Sequence, residues 1–404
     1  MIIDELLLYR EDKNLDVVRE AVELTQNPTR ESAFEVIAKL LKTAGEHGFY
    51  GNLWHCFLTN ILVNNENTYS LACEMRGDVE GTVNVAALHD MEIFRKLYDI
   101  NLDDVARRLK TDSFDIIKDY TASCRESSVY NTRICKRICD LSVELGSAKD
   151  AKETKDRLTH FYKEYGVGQF GLNKSFRIKG ENRKDLIIEP IINIAHVKLD
   201  DLVGLELQKK KLTENTEAFV KGKKANNCLL FGDAGTGKSS SIKAITNEYY
   251  EDGLRVIEIY KHQFRVLNDI IDRIKNRNYR FIIYMDDLSF EDFETEYKYL
   301  KAVIEGSLMK KPSNVLIYAT SNRRHLIREQ FSDREEGNDK HYNDTVQEKL
   351  SLAYRFGESI YFSSCDKKEF KEIVLELAKR NGIHMDEEEL LLKAGEWELS
   401  HGGL

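Results

Sequence analysis

Proline is scarce: Pro28, Pro190 and Pro312 are the 3 in 404 residues. So few prolines favour long uninterrupted helices. No apolar run approaches the ~20 residues that span a bilayer. The first residues, Met1 to Leu8, carry Asp4 and Glu5 where a secretory leader is basic. A cytoplasmic protein without a membrane role is therefore expected. The 7 cysteines are scattered and odd in number. Cys135 and Cys139 are four apart, a helical spacing and not the C-x-x-C of a zinc or redox site, so reduced core thiols are expected. The 10 histidines contain no H-x₃-H or H-E-x-x-H pair, which removes the case for a catalytic zinc. Basic excess is missing too. A net charge of −9 gives no support to a protein that coats nucleic acid, although a local basic groove is compatible with it.

What is present describes a folded, multi-part chain. A hydrophobic share of 42% with 32% charged residues is that of a globular protein, and the length allows two or three domains. Residues 1–165 read as successive amphipathic helices, an all-α N-terminal domain: Phe34, Ile37, Leu41 and Ala44 share a face, as do Trp54, Phe57, Leu58 and Ile61, then Ile134, Ile138, Leu141 and Leu145. No fixed period marks a solenoid. Glycines, Asn173, Asn182 and Pro190 interrupt residues 166–198, which read as a linker with short extended pieces such as Leu186-Ile187-Ile188. Strands and helices then alternate through 199–363, the mark of a parallel α/β sheet. Its strand candidates are 228–231, 254–259, 281–285, 315–319 and 360–362. Residues 364–404 return to helix and read as a short, partial lid.

Gly232-Asp233-Ala234-Gly235-Thr236-Gly237-Lys238-Ser239 matches G-x-x-x-x-G-K-[ST] at every position, between a short apolar strand and a helix carrying Ile242 and Ile245 on one face. Glycines let such a loop adopt positive φ and bring backbone N–H groups to phosphate oxygens. The helix N-terminus beneath, with Ser239 and Ser240 in its first turn, adds partial positive charge. Lys238 is the residue for the β- and γ-phosphates and Ser239 the one for Mg²⁺. Lys238 is expected to be solvent-exposed without nucleotide.

A second apolar run, 281–285, ends in Asp286 and Asp287, which the strand delivers to the carboxyl edge of the sheet, where open α/β sheets bind ligands. Asp286 is the candidate for Mg²⁺ and Asp287 for orienting or deprotonating the attacking water. Aspartate is a methylene shorter than the glutamate common there, and Glu291 is a weaker substitute. A third run, 315–319, leads to Thr320, Ser321 and Asn322. Asn322 is the preferred contact to the γ-phosphate or its water, and Thr320 the second. The extra strand at 254–259 is expected if the phosphate-loop strand and the acidic strand are separated in space by this third one. No [NT]-K-x-D follows the acidic pair, so ATP and not GTP is expected.

These motifs resemble the AAA+ superfamily of P-loop ATPases. Leu199 to Gly204, Asp286 to Glu291, Tyr318 to Leu326 and Glu348 to Gly357 are similar to one bacterial branch, the domain-of-unknown-function family eight-fifteen. The resemblance implies an ATP- and Mg²⁺-dependent enzyme that forms a homo-oligomer in its ATP state and acts on a macromolecular substrate it does not name. It further implies that Val203 and Gly204 lie by the adenine and that Arg355 is the finger presented to a neighbour's nucleotide. Two departures stand out: Gly235 occupies a position where this branch is expected to be basic, and no third lid helix with a second sensor arginine appears, Arg380 being too early.

Other signals carry less. Gly166-Val167-Gly168-Gln169-Phe170-Gly171 fits G-x-G-x-x-G but follows a helix, not a strand, so Gly166 reads as a helix end. Lys209 to Lys211 with Lys221, Lys223 and Lys224 read as a solvated face. Arg323-Arg324-His325 adjoins the sensor without a defined role. Three functions compete: an ATPase that moves its helical domain or a partner, a nucleotide-gated binding module with little turnover, and a DNA-linked loader.

Overall fold

The computed structural model describes residues 2–121, 127, 129–180, 182–290, 296–305, 312–322, 352 and 355–400. The chain forms two compact units, Met1–Asn173 and Lys174–Leu404. Among the described residues no helix is long and apolar enough to cross a membrane.

Among the described residues the first unit is built from helices: α1 (Leu15–Gln26), α2 (Arg30–His47), α3 (Leu53–Asn64), α4 (Thr68–Arg76), α5 (Thr82–Tyr98), α6 (Leu102–Leu109), α7 (Asp115–Lys118), α8 (Thr132–Gly146), α9 (Ala151–Tyr165) and α10 (Gly168–Leu172). Helix α3 is apolar on nearly every side, and residues 53–63 are buried apart from His55, which is what a central helix requires. Trp54 fills the middle of the unit and donates its indole N–H to the Leu97 carbonyl at 2.8 Å. Asp90, fully buried, accepts the backbone N–H groups of Leu7, Leu8 and Tyr9, and so fastens the N-terminal segment without leaving a charge unpartnered. Cys56, Cys73, Cys135 and Cys139 are buried here and Cys228 in the second unit, whereas Cys365 is exposed, against expectation.

The second unit is built on a 7-stranded sheet of order β2-β1-β4-β5-β6-β3-β7. Its strands are β1 (Ser175–Lys179), β2 (Ile187–Pro190), β3 (Cys228–Gly232), β4 (Leu254–Glu258), β5 (Arg280–Met285), β6 (Val315–Ser321) and β7 (Glu358–Phe362). The β1/β2 pair is antiparallel and every other pairing is parallel. Parallel central strands are covered on both faces, and β6 is buried at every position. The class is the expected α/β P-loop NTPase core with an all-α unit before it and two helices, α15 (Lys367–Arg380) and α16 (Glu387–Ser400), after it. Residues 166–198, expected as a linker, instead hold α10 and the hairpin β1/β2. That hairpin extends the sheet beyond β4 through the pairing Phe176↔Ile257. Helices α11 (Glu206–Val220), α12 (Lys238–Glu248), α13 (Leu267–Ile274) and α14 (Glu296–Glu305) complete the core. Leu212 and Phe219 of α11 and Ile242 and Ile245 of α12 meet Leu230, Ile282, Leu316 and Tyr318 in one apolar cluster.

One glycine holds the sheet to its most critical loop. Gly232 ends β3 at φ 142°, and a Cβ there would stand 1.8 Å from the carbonyl oxygen of Phe362 on β7. Gly232→Ala must push two hydrogen-bonded strands apart. We expect a loss of about 3 kcal/mol, seen as a lower unfolding midpoint of the second unit. An unchanged midpoint would mean that β7 yields freely.

Candidate nucleotide site

Strand β3 leaves the sheet at Gly232 and the chain re-enters a helix at Lys238, so the intervening loop wraps the N-terminus of α12. Gly235 at φ 77° and Gly237 at φ 90° supply the left-handed turns. No side chain caps α12, which leaves its first N–H groups for an anion. The Thr236 hydroxyl braces the loop on the Asp233 carbonyl at 2.8 Å. Lys238 corrects the expectation of exposure: it is 6% exposed, with Nζ donating to the carbonyls of Gly232 (2.8 Å) and Asp233. Burial holds its ammonium below the ordinary lysine range, against the opposing pull of Asp233, Asp287 and Asp286.

The sheet order brings the other groups to this loop. As expected, β6 lies between β3 and β5, with Leu230↔Thr320 and Met285↔Ala319 in register. Ser239 Oγ donates to Asp286 Oδ1 at 2.8 Å. Thr320 Oγ1 donates to the same oxygen at 2.6 Å and accepts the Asp287 N–H at 3.0 Å. Asp287 sits at φ 49°, rare for a residue with a side chain. This turn is held by the Leu288 N–H on the Thr320 carbonyl (2.7 Å) and by Ser321 Oγ on the Leu288 carbonyl (2.7 Å). Asn322 Nδ2 donates to Asp287 Oδ1 at 2.8 Å. Together residues 234–240, Asp286, Asp287, Thr320 and Asn322 line a cleft of about 350 Å³. Burial alone would raise the Asp286 carboxyl, but hydrogen bonds from Thr320, Tyr284 and Ser239 and the Asp287 N–H outweigh it and keep it below the usual range.

The donor set suits a magnesium nucleotide. An uncapped helix N-terminus with a buried lysine fits phosphate, and a hydroxyl beside a carboxylate offers the oxygen ligands that Mg²⁺ takes. Among the described residues no group of three or more His, Cys, Asp or Glu side chains could hold a metal ion. A cation here would share its coordination with phosphate, the usual arrangement for Mg²⁺.

Tyr284 was not anticipated. Its hydroxyl donates to Asp286 Oδ1 at 2.6 Å. The available signal was spacing: residues two apart on a strand face the same way.

Val203 and Gly204 lie in a second cavity, of about 820 Å³, which they share with Asp200, Glu372, Glu376 and Arg380. A Cβ on Gly237 would stand 2.9 Å from Leu205 Cδ1, and one on Gly204 would touch Ile373 of α15 at 3.4 Å. Arg380 donates to the Asp200 carbonyl and to Glu376. Arg355 is half-buried and stands apart from both cavities. It precedes β7, whose Glu358 pairs with Cys228, while the phosphate loop leaves at the far end, where Phe362 pairs with Gly232. Glu291, Arg323, Arg324, His325, Leu326 and residues 348–351, 353 and 354 lie outside the described residues.

Comparison with known proteins returns a match of residues 173–404 to the family model described as "Protein of unknown function (DUF815)". The replication factor C large subunit of Staphylothermus marinus is 37% identical over 81 residues, 20% of this chain and 18% of that protein. Among solved structures, the Thermotoga maritima RuvB Holliday junction branch migration motor is similar at 18% identity and a TM-score of 0.33, over 49% of this chain and 58% of that one. Two RuvB variants score 0.33 and 0.34. The chain thus spans less than a fifth of the curated relative and somewhat more than half of the RuvB chains.

Proposed function

Since the chain belongs to the family described as "Protein of unknown function (DUF815)", we propose that it is an ATPase of the AAA+ class that binds ATP with Mg²⁺ and hydrolyses it to drive a conformational change in a partner or in its own helical unit. The observation that carries this reading is the 2.8 Å hydrogen bond from Ser239 to Asp286, which joins the phosphate loop to the acidic strand.

In this reading residues 232–240 surround the phosphates and Val203 and Gly204 adjoin the base. Lys238 exchanges its two loop carbonyls for phosphate oxygens, a swap of neutral acceptors for charged ones that favours the bound state. Ser239 and Asp286 hold Mg²⁺, which when bound offsets charge on the phosphates. Asp287 orients the attacking water and takes its proton, and Asn322 fixes the Asp287 carboxylate in one direction. Arg355, remote from its own phosphate loop, serves the site of a second copy, so the active form is a homo-oligomer. The macromolecule acted on is a protein or a nucleic acid.

Asp287→Asn separates enzyme from switch. The variant is expected to bind ATP and Mg²⁺ as the wild type does and to release phosphate at least ~100-fold more slowly. Turnover should be followed alone and with single-stranded DNA, duplex DNA and unfolded protein. A wild type without turnover under every condition leaves the nucleotide-gated module as the reading. Loss of nucleotide binding in the variant would move Asp287 into the metal-holding set.

A further inference from the structure

Three hydroxyl groups converge on one oxygen of Asp286. Tyr284 and Thr320 each donate to Oδ1 at 2.6 Å, and Ser239 donates at 2.8 Å. Ser239 belongs to the phosphate loop, and Thr320 also receives the Asp287 N–H. Tyr284 belongs to neither the loop nor the turn. It is 6% exposed and sits in the apolar cluster that includes Ile242, Ile245, Leu230 and Tyr318. The rest of β5 between Phe281 and Met285 is aliphatic, aromatic or thioether. A phenylalanine would fill the same volume, so it is the hydroxyl that calls for an explanation. A buried phenol needs a partner, and this one is directed at the Asp286 carboxylate, the proposed Mg²⁺ ligand.

We infer that Tyr284 is a positioning residue that fixes the Asp286 carboxylate for the metal-bound nucleotide; the inference rests on the reading of the cleft as a Mg²⁺–ATP site. The carboxylate is gripped from two strands, by Tyr284 on β5 and Thr320 on β6. The Tyr284 ring is locked by core packing, so its hydroxyl holds a fixed place with little remaining freedom. Asp286 Oδ1 therefore stays turned toward Ser239 before any ligand arrives. Binding then carries no cost for ordering the carboxylate, the general advantage of a preorganised site. Partners standing one bond behind a metal ligand are typically worth roughly 10- to 100-fold in metal affinity.

The test is Tyr284→Phe, which keeps the ring and removes the hydroxyl. ATP affinity is measured by calorimetry in excess Mg²⁺ and again in EDTA, for the wild type and the variant. The expected result is an unchanged affinity in EDTA and a Mg²⁺-dependent gain reduced roughly 10-fold. A Mg²⁺ titration at fixed ATP should show the same displacement. Equal Mg²⁺ dependence in both proteins overturns the inference and leaves the nucleotide site standing. Weakened ATP binding in EDTA as well overturns it too, since Tyr284 would then be a core residue supporting the whole loop. A wild type that binds no ATP in either buffer overturns the nucleotide-site reading itself.

Discussion

Lys238→Ala protein is expected to bind ATP at least ~100-fold more weakly than the wild type. A charge-assisted hydrogen bond contributes about 1.5–3 kcal/mol, and the lysine supplies more than one. The geometry adds a second consequence that an exposed lysine would not have. Nζ is buried on the carbonyls of Gly232 and Asp233, so truncation leaves both acceptors without that donor. A modest loss of about 1–2 kcal/mol in the nucleotide-free protein follows. The two effects separate in a thermal melt. Without ATP the variant unfolds slightly earlier; with ATP the wild type gains stability by linkage and the variant does not. Wild-type ATP affinity in the variant would sink the phosphate-site assignment.

The turn at residues 232–239 was legible in the sequence because its backbone needs are local. Glycines at 232, 235 and 237 answer to backbone angles and to the approach of β7, and such needs leave their mark residue by residue. The acidic pair was legible for a related reason: a fully apolar run must end in polar groups where the strand meets solvent. The place of β6 between β3 and β5 followed from the extra strand at 254–259.

What failed depended on packing between distant segments. β1 has the alternation of a half-covered strand, with Phe176 and Ile178 buried and Arg177 and Lys179 exposed, yet five residues between glycines and asparagines gave too short a signal to outweigh a linker reading. The burial of Lys238 comes from carbonyls five and six residues back, folded over it by the loop, and a lysine in a motif says nothing of that. The Tyr284 hydroxyl was hidden by its company, because in an apolar strand a tyrosine reads as core. Its ring is core; its oxygen belongs to the site.

The largest effect is expected at Arg355, and it tests whether the active form contains more than one copy. Arg355 precedes β7 at the end of the sheet where β3 begins, and there the Asn227 carbonyl accepts the Glu358 N–H at 3.1 Å. Its own phosphate loop leaves from the opposite end of β3. A five-residue strand is about 13 Å long at roughly 3.3 Å per residue, and an arginine half-buried at one end does not serve phosphate at the other. The same residue on a neighbouring copy has no such restriction. A guanidinium is planar and always charged, suited to the oxygens of a γ-phosphate, and arginines delivered in this way are worth roughly 10³–10⁵ in rate. Arg355→Ala is therefore expected to bind ATP as the wild type does and to lose hydrolysis by at least ~1,000-fold. Mixing it with Lys238→Ala should restore part of the activity, because one copy keeps the phosphate loop and the other keeps the arginine. Neither variant alone can do so. Sedimentation with ATP should show association of the wild type over the concentration range in which activity rises. A wild type that stays monomeric with ATP and is fully active, with no rescue on mixing, would return Arg355 to a structural role at the base of β7.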